Sequence, residues 1–173
     1  MSKPYCVTFA GVPGSSKSIV AHYLSERFNL PIFSNDNIRF EVREDLLVDN
    51  ICAPAALQEF EHRSTDRQEW ILAQGMPFIR DASVDRSWKR LHEQLERAGY
   101  RWFIISMELS EPFLTRLYSM TGRRAALDSL PAYLRQHEDF VAKYGDQVKL
   151  RITDETFGDR TQLAEKALCA FLK

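Results

Sequence analysis

Cysteine is scarce: Cys6, Cys52 and Cys169 are the only three in a chain of 173 residues. They are odd in number and far apart, and no CxxC pair or Cys/His cluster accompanies them. Neither a disulfide framework nor a zinc site is therefore expected. Free thiols suit a reducing compartment, so a cytoplasmic location is expected. Long apolar runs are missing as well. Met1-Ser2-Lys3-Pro4 leads into a short apolar stretch, too brief for a signal peptide core, and nothing approaches a membrane span. An excess of charge of either sign is also lacking. Lys and Arg total 23, Asp and Glu total 24, and the net charge is −1. A surface that coats long nucleic acid is thereby disfavoured, while one local basic pocket is not. There is no internal repeat, low-complexity tract or linker. The length fits one domain, residues 1–173, which buries roughly 70% of its unfolded surface without metal or disulfide staples.

What is present is an alternation of short apolar runs and amphipathic segments. Residues 5–10 read as a buried parallel strand, followed by turn chemistry and a helix with Ile19, Val20, Tyr23, Leu24 and Phe28 at helical spacing. Residues 30–33 form a second strand. Ser34-Asn35-Asp36-Asn37 offers caps for a helix through Ile38, Phe40, Val42 and Leu46. Pro54 opens a helix that ends at Gly75, with Leu57, Phe60, Trp70, Ile71 and Leu72 as its apolar positions. Residues 77–79 read as a third strand that breaks at Arg80. A helix is expected over 84–98, a fourth strand over 102–107 and a helix from Ser110-Glu111-Pro112. Residues 119–129 read as a mobile loop. Pro131 opens a helix ending near Gly145, 148–152 is a fifth strand, and 159–172 closes the chain as a helix. This order argues for βαβ units and an α/β sheet covered on both faces.

Gly11-Val12-Pro13-Gly14-Ser15-Ser16-Lys17-Ser18 lies between the first strand and the first helix. It matches the phosphate-loop pattern G-x-x-x-x-G-K-[ST] at Gly11, Lys17 and Ser18, with Ser16 in place of the second glycine. Backbone N–H groups of such a loop point at a phosphate, and the helix N-terminus adds positive potential. Lys17 would reach the β- and γ-phosphates of ATP, and Ser18 would ligate Mg²⁺. The alternative is a glycine-rich turn with a solvent-facing lysine. Ser16 at a position of positive φ would cost of order 1 kcal/mol.

Gly-x-Pro-Gly-Ser-x-Lys-Ser resembles the loop of P-loop kinases of the small-molecule and polynucleotide 5′-hydroxyl type, with zeta-toxin-like and adenylate-kinase-like relatives. The resemblance implies a three-layer P-loop NTPase sandwich. Its five-stranded parallel sheet would run in the order 2-3-1-4-5, with helices on both faces and a small arginine-bearing lid near residues 119–129. It also implies ATP and Mg²⁺ as cofactors, with Gly11, Gly14, Ser15, Ser16, Lys17 and Ser18 holding the nucleotide.

Asp36 follows the second strand, at the carboxyl edge where ligands of open parallel sheets bind. A carboxylate there can take the proton of an acceptor hydroxyl, and Arg39, one turn on, can grip an anionic acceptor. Asp36-Asn37-Ile38-Arg39 is similar to the family's Asp-[Asp/Asn]-x-Arg stretch, in which the Asp is the base and the Arg contacts substrate. The alternative is a helix-capping Asp36 with a surface Arg39. Phe78-Ile79-Arg80-Asp81 is an imperfect apolar strand ending in Asp. Asp81 would hold Mg²⁺ through water or position substrate, and Asp81-Ala82-Ser83 resembles the end of this strand in the family. Ser83 and Asp85 read as helix caps.

Arg116, Arg123, Arg124 and Arg135 gather in one stretch with Asp128 as the only acid. Arginines that close over a transferring phosphoryl group stabilise its dispersed charge. Arg116 through Gly122-Arg123-Arg124 is similar to the lid of nucleoside monophosphate kinases. It implies a catalytic arginine in the Arg123–Arg124 pair, assigned to Arg123 with Arg124 as the other choice, and Arg116 and Arg124 as nucleotide contacts, with Arg135 reaching substrate; a solvated basic loop is the alternative. His22, His62, His92 and His137 read as surface or satisfied helix positions, and Trp70, Trp88 and Trp102 as packing residues. The expected activity is ATP-dependent transfer of a phosphoryl group to a hydroxyl of a small acceptor. A nucleotide-binding module or weak ATPase, and a nucleic-acid 5′-hydroxyl kinase, are the rivals.

Overall fold

A computed structural model describes residues 3–48 and 53–173. Strand β1 (Tyr5–Ala10) leads into α1 (Lys17–Phe28), β2 (Ile32–Ser34), α2 (Asn35–Leu46) and α3 (Pro54–Gln74). Next come β3 (Phe78–Ser83), α4 (Trp88–Arg97), β4 (Arg101–Met107) and α5 (Glu111–Met120). A 3-10 turn (Arg124–Ser129), α6 (Leu130–Tyr144), β5 (Val148–Ile152) and α7 (Arg160–Phe171) complete the order. The sheet runs β2-β3-β1-β4-β5 with every pairing parallel. This is the strand order that the phosphate-loop resemblance implies.

Both faces of the sheet are covered, which is why β1 is buried from Cys6 to Ala10 and shows no apolar–polar alternation. On one face, Val20 and Leu24 of α1, Leu114 and Tyr118 of α5, and Leu168 of α7 pack on Val7, Phe9 and Phe103. On the other, Ile38 and Val42 of α2, Leu91 and Leu95 of α4, and Phe140 of α6 pack on Phe33, Phe78 and Ile104. Each fully buried Leu or Phe contributes about 1.5–3 kcal/mol, so neither layer is dispensable. Local signals set the helix ends. Pro54 sits in the first turn of α3, and Gly75 ends that helix at φ 64°, its N–H donating to the Leu72 carbonyl.

Several elements depart from the pattern reading. β3 does not break at Arg80 but continues to Ser83, because Phe33 and Ser34 of β2 pair with Arg80 and Asp81. Against β1 the register passes from Val7↔Ile79 to Phe9↔Ser83, so β3 carries two extra residues there and bulges. α4 starts at Trp88, four residues later than the apolar spacing suggests, with Ser87 at its N-cap. The stretch 119–129 is mostly wound: α5 reaches Met120 and the 3-10 turn fills Arg124–Ser129. Trp70 is not a packing residue. It is 62% exposed, because Ile71 and Leu72 face the core and Trp70 is rotated off that stripe. Ile19, Phe40, Leu46 and Leu57 also face solvent. Cys6 is buried and Cys169 exposed, both as free thiols, and Cys52 lies outside the described residues. Among the described residues no helix is long and apolar enough to cross a membrane.

Candidate active site

The loop between β1 and α1 turns on backbone that ordinary side chains resist. Gly11 has φ 124°, and a Cβ there would stand 2.9 Å from Met107 Cβ and 3.0 Å from the Met107 carbonyl oxygen. Gly14 has φ 77°, and its Cβ would meet Tyr118 Cε1 at 2.9 Å and Arg123 Cδ at 3.1 Å. Ser16 adopts φ 73° and ψ 21°, the left-handed region, at the N-cap of α1. The serine accepts the backbone that a second glycine would adopt freely.

Lys17 is the first residue of α1 and is buried. Its Nζ folds back over the loop and donates to the carbonyls of Gly11 (2.9 Å) and Val12 (2.6 Å) and to Ser15 Oγ (3.2 Å). Burial pushes the Lys17 ammonium down to about 8, while the carboxylates of Asp85 and Asp81 pull it up and the Arg123 guanidinium opposes them. An amine held among carbonyls at the positive end of a helix is a ready partner for phosphate oxygens.

Ser18 Oγ donates to Asp81 Oδ1 at 3.1 Å. The bulge in β3 accounts for this meeting: two extra residues carry Asp81 to the mouth beside α1. Burial raises the Asp81 carboxyl above its ordinary value, and the Ser18 hydroxyl partly offsets that. A hydroxyl and a carboxylate are the oxygen donors that Mg²⁺ takes, and the ion keeps water or phosphate for its other positions. Among the described residues no three His, Cys, Asp or Glu gather as metal ligands.

Asp36 lies in the first turn of α2, where Ser34 holds the N-cap position. Ser34 pairs with Asp81 across β2 and β3, which sets Asp36 close to the loop mouth. Its charge acts on both Lys17 and Asp81. The side chain is 83% exposed, and its Oδ1 accepts from Arg39 Nη1 at 2.8 Å. Arg39 also lies over the Phe60 ring, 5.0 Å from the centroid.

The arginines separate. Arg123 lies against Gly14 of the loop, and its backbone N–H donates to the Tyr118 carbonyl at 2.9 Å. Tyr118 itself donates its hydroxyl to the Pro13 carbonyl, so α5 buttresses the loop. Arg116 stacks over Phe113 at 5.6 Å. Arg124 is exposed on the 3-10 turn and Arg135 on α6. The structure thus brings Gly11, Gly14, Ser15, Ser16, Lys17, Ser18, Asp81 and Arg123 together, with the Asp36–Arg39 pair at the adjoining strand end. Among the described residues the side chains of Arg116, Arg124 and Arg135 make no hydrogen bond or ion pair with the loop.

One part of the site escaped the pattern reading. Asp85 is not a helix cap, since α4 begins three residues later. Its carboxylate accepts the Gly11 N–H at 3.1 and 3.2 Å, and His137 Nδ1 lies 3.2 Å from Oδ1. On the far side of the ring, His137 Nε2 stands 3.5 Å from Ser106 Oγ on β4. The Asp85 and His137 side chains are 7% and 8% exposed. A buried chain of polar groups therefore runs from β4 through α6 to the first residue of the loop. Ser83 does serve a turn, its Oγ accepting the Asp85 N–H at 3.3 Å. No local signal marks Asp85, because its partners lie 74 and 52 residues away.

No protein-family model matches the chain, and no curated protein sequence matches it. Solved structures do. A gluconokinase from Sinorhizobium meliloti is 17% identical with a TM-score of 0.63, covering 99% of this chain and 95% of that one. Shikimate kinase from Acinetobacter baumannii, solved with shikimate, is 14% identical with a TM-score of 0.61, covering 99% and 94%. The APS kinase of Mycobacterium tuberculosis, solved with AMPPNP and APS, is 18% identical with a TM-score of 0.55, covering 97% and 99%. At such identities the likeness is one of fold: the chain has the α/β fold of P-loop kinases.

Proposed function

We propose that this chain is a cytoplasmic, ATP- and Mg²⁺-dependent phosphotransferase acting on a hydroxyl of a small acceptor. The observation that carries the reading is the convergence of Lys17, the Ser18–Asp81 pair and Arg123 on one positive-φ loop. The gluconokinase, shikimate kinase and APS kinase of like fold support a small-molecule acceptor over a long nucleic acid.

In this reading the backbone of Gly11, Gly14, Ser15 and Ser16 cradles the β- and γ-phosphates, and the Lys17 ammonium bridges them. Ser18 and Asp81 would hold Mg²⁺, which when bound neutralises charge on the phosphate oxygens. Asp36 faces the acceptor hydroxyl and Arg39 grips an anionic part of the acceptor. A bond forms between the acceptor oxygen and the γ-phosphorus while the bond to the β–γ bridging oxygen breaks. ADP leaves with that electron pair, and the hydroxyl proton passes to the Asp36 carboxylate. Arg123, already against Gly14, closes over the transferring group. Residues 119–129 act as the lid, Arg116 and Arg124 turn toward nucleotide, and Arg135 turns toward acceptor on closure. The whole chain serves as one domain.

The test is transfer of labelled γ-phosphate to a panel of hydroxyl acceptors, with Asp36→Asn alongside. The substitution is expected to leave ATP–Mg²⁺ affinity nearly intact and to cut turnover by at least about 10²-fold. Unchanged turnover would remove Asp36 as the base. A chain that binds ATP–Mg²⁺ and labels no acceptor would be a nucleotide-binding module instead.

A further inference from the structure

Arg80 is only 7% exposed, and its Nε and Nη1 are sealed from solvent with no hydrogen-bond partner among the described residues. A guanidinium does not shed its proton in a protein, so this is a buried positive charge. Leaving such a charge uncompensated is strongly unfavourable. Two groups act on it electrically, Cys6 and Arg90. Burial pushes the Cys6 thiol up to about 12, so it is neutral, and Arg90 carries the same sign as Arg80. Among the described residues no carboxylate is its counter-ion.

Arg80 is one of the residues lining a cavity of about 570 Å³ between α3 and α4, whose wall also includes Thr65, Gln68, Arg90 and Gln94. That volume accommodates a small organic molecule. Arg90 Nη2 donates to Thr65 Oγ1 at 3.1 Å, which fixes a second guanidinium at the cavity. Gln68 is buried and joined to Gln94, so amide groups line the wall between the two arginines. Glu61 and Asp66 also line the cavity, but both are exposed, and Asp66 faces His62 at 3.5 Å. Successive strand residues point to opposite faces, so Arg80 reaches the α3–α4 side while Asp81 meets Ser18 of α1. The cavity is thus separate from the phosphate loop.

We propose that this cavity is a second anion site, which binds a small molecule through a phosphate or carboxylate group held by Arg80 and Arg90. Two guanidiniums with fixed forks and neighbouring amides form the donor set that such planar or tetrahedral oxyanions take. The ligand's charge supplies what the fold omits beside Arg80. The proposal does not depend on phosphoryl transfer.

The experiment is calorimetric titration of the full chain with inorganic phosphate and, separately, malonate, at ionic strength held constant with sodium chloride. At least one of the two is expected to bind. Phosphate alone assigns a phosphoryl ligand and malonate alone a carboxylate; binding of both assigns an oxyanion without preference. Arg80→Met is expected to weaken that binding by at least about tenfold, the size of a lost charge-assisted hydrogen bond. It should not lower the melting temperature of the free chain, because it removes an unpaired buried charge. Arg90→Met, on an exposed helix position, is expected to weaken binding severalfold and decides the matter if Arg80→Met does not fold. Lys17→Met separates the two anion sites and is expected to leave this binding unchanged. Absence of binding by either ion, or binding that the Arg80 and Arg90 variants leave intact, overturns the proposal. So does binding that only Lys17→Met abolishes.

Discussion

Lys17 shows how one side chain couples protonation to both binding and stability. Burial sets its folded value at about 8 against an ordinary 10.5. Between those two values the unfolded chain holds a proton that the folded chain has shed, so stability through this group rises with pH across that window. The difference in unfolding free energy between wild type and Lys17→Met, followed from pH 7 to 10, is expected to show that slope. Nucleotide affinity runs the other way. Phosphate oxygens favour the charged ammonium, so affinity is expected to be flat below about 8 and to fall above it. Calorimetry in buffers of different ionisation enthalpy should register proton uptake on binding in the upper range. Ser16, at φ 73°, offers the complementary case. Ser16→Gly is expected to keep or improve nucleotide affinity and to raise stability by up to about 1 kcal/mol in denaturant unfolding. The loop residues Gly11, Lys17 and Ser18 were legible in the sequence because their spacing is local. Asp85 and His137 were not, since a carboxylate near a helix start looks the same whether it caps that helix or reaches a loop far away in the chain.

At the scale of elements, the site depends on three pieces that converge on one loop. α5 supplies Tyr118 beneath Pro13, the turn after α5 supplies Arg123 over Gly14, and the segment before α4 supplies Asp85 to Gly11. Asp85→Asn is expected to destabilise the fold by about 1–3 kcal/mol, because the Gly11 N–H and His137 lose a charged acceptor. It should also weaken nucleotide binding, where a change in a mere cap would not; thermal melts with and without an ATP analogue measure both. The segment 119–129 is expected to be cut by protease in the free chain and protected by a nonhydrolysable ATP analogue with Mg²⁺, through phosphate partners gained by its arginines. Equal cleavage in both states would make it a fixed connection. The helices that begin at Pro54 and near Pro131 were legible from their punctuation. The length of β3 was not, because Arg80 interrupts the apolar run. Its burial follows from the cavity between α3 and α4, which no periodicity reveals.

For the whole molecule, the alternation of strands with helices and the position of the loop after the first strand make the layered sheet readable from the sequence alone. Parallel strands buried on both faces leave near-continuous apolar runs, and Tyr5–Ala10, but for Thr8, and Trp102–Met107, but for Ser106, are such runs. Their role as central strands follows from it, with the short β2 and the half-exposed β5 at the rims. Leu24→Ala, at a fully buried position of α1, is expected to cost about 2–5 kcal/mol in denaturant unfolding. The chain of bonds from Gly11 through Asp85 to His137 has a consequence in time. On the ribosome the loop's anchor is made 74 residues after the loop itself, and the anchor's own partner a further 52 after that. Synthesis at about 5–20 residues per second makes this a wait of many seconds. The motif is therefore translated before its anchor, so that a nascent chain carries the sequence of the loop well before it carries the loop's anchored shape.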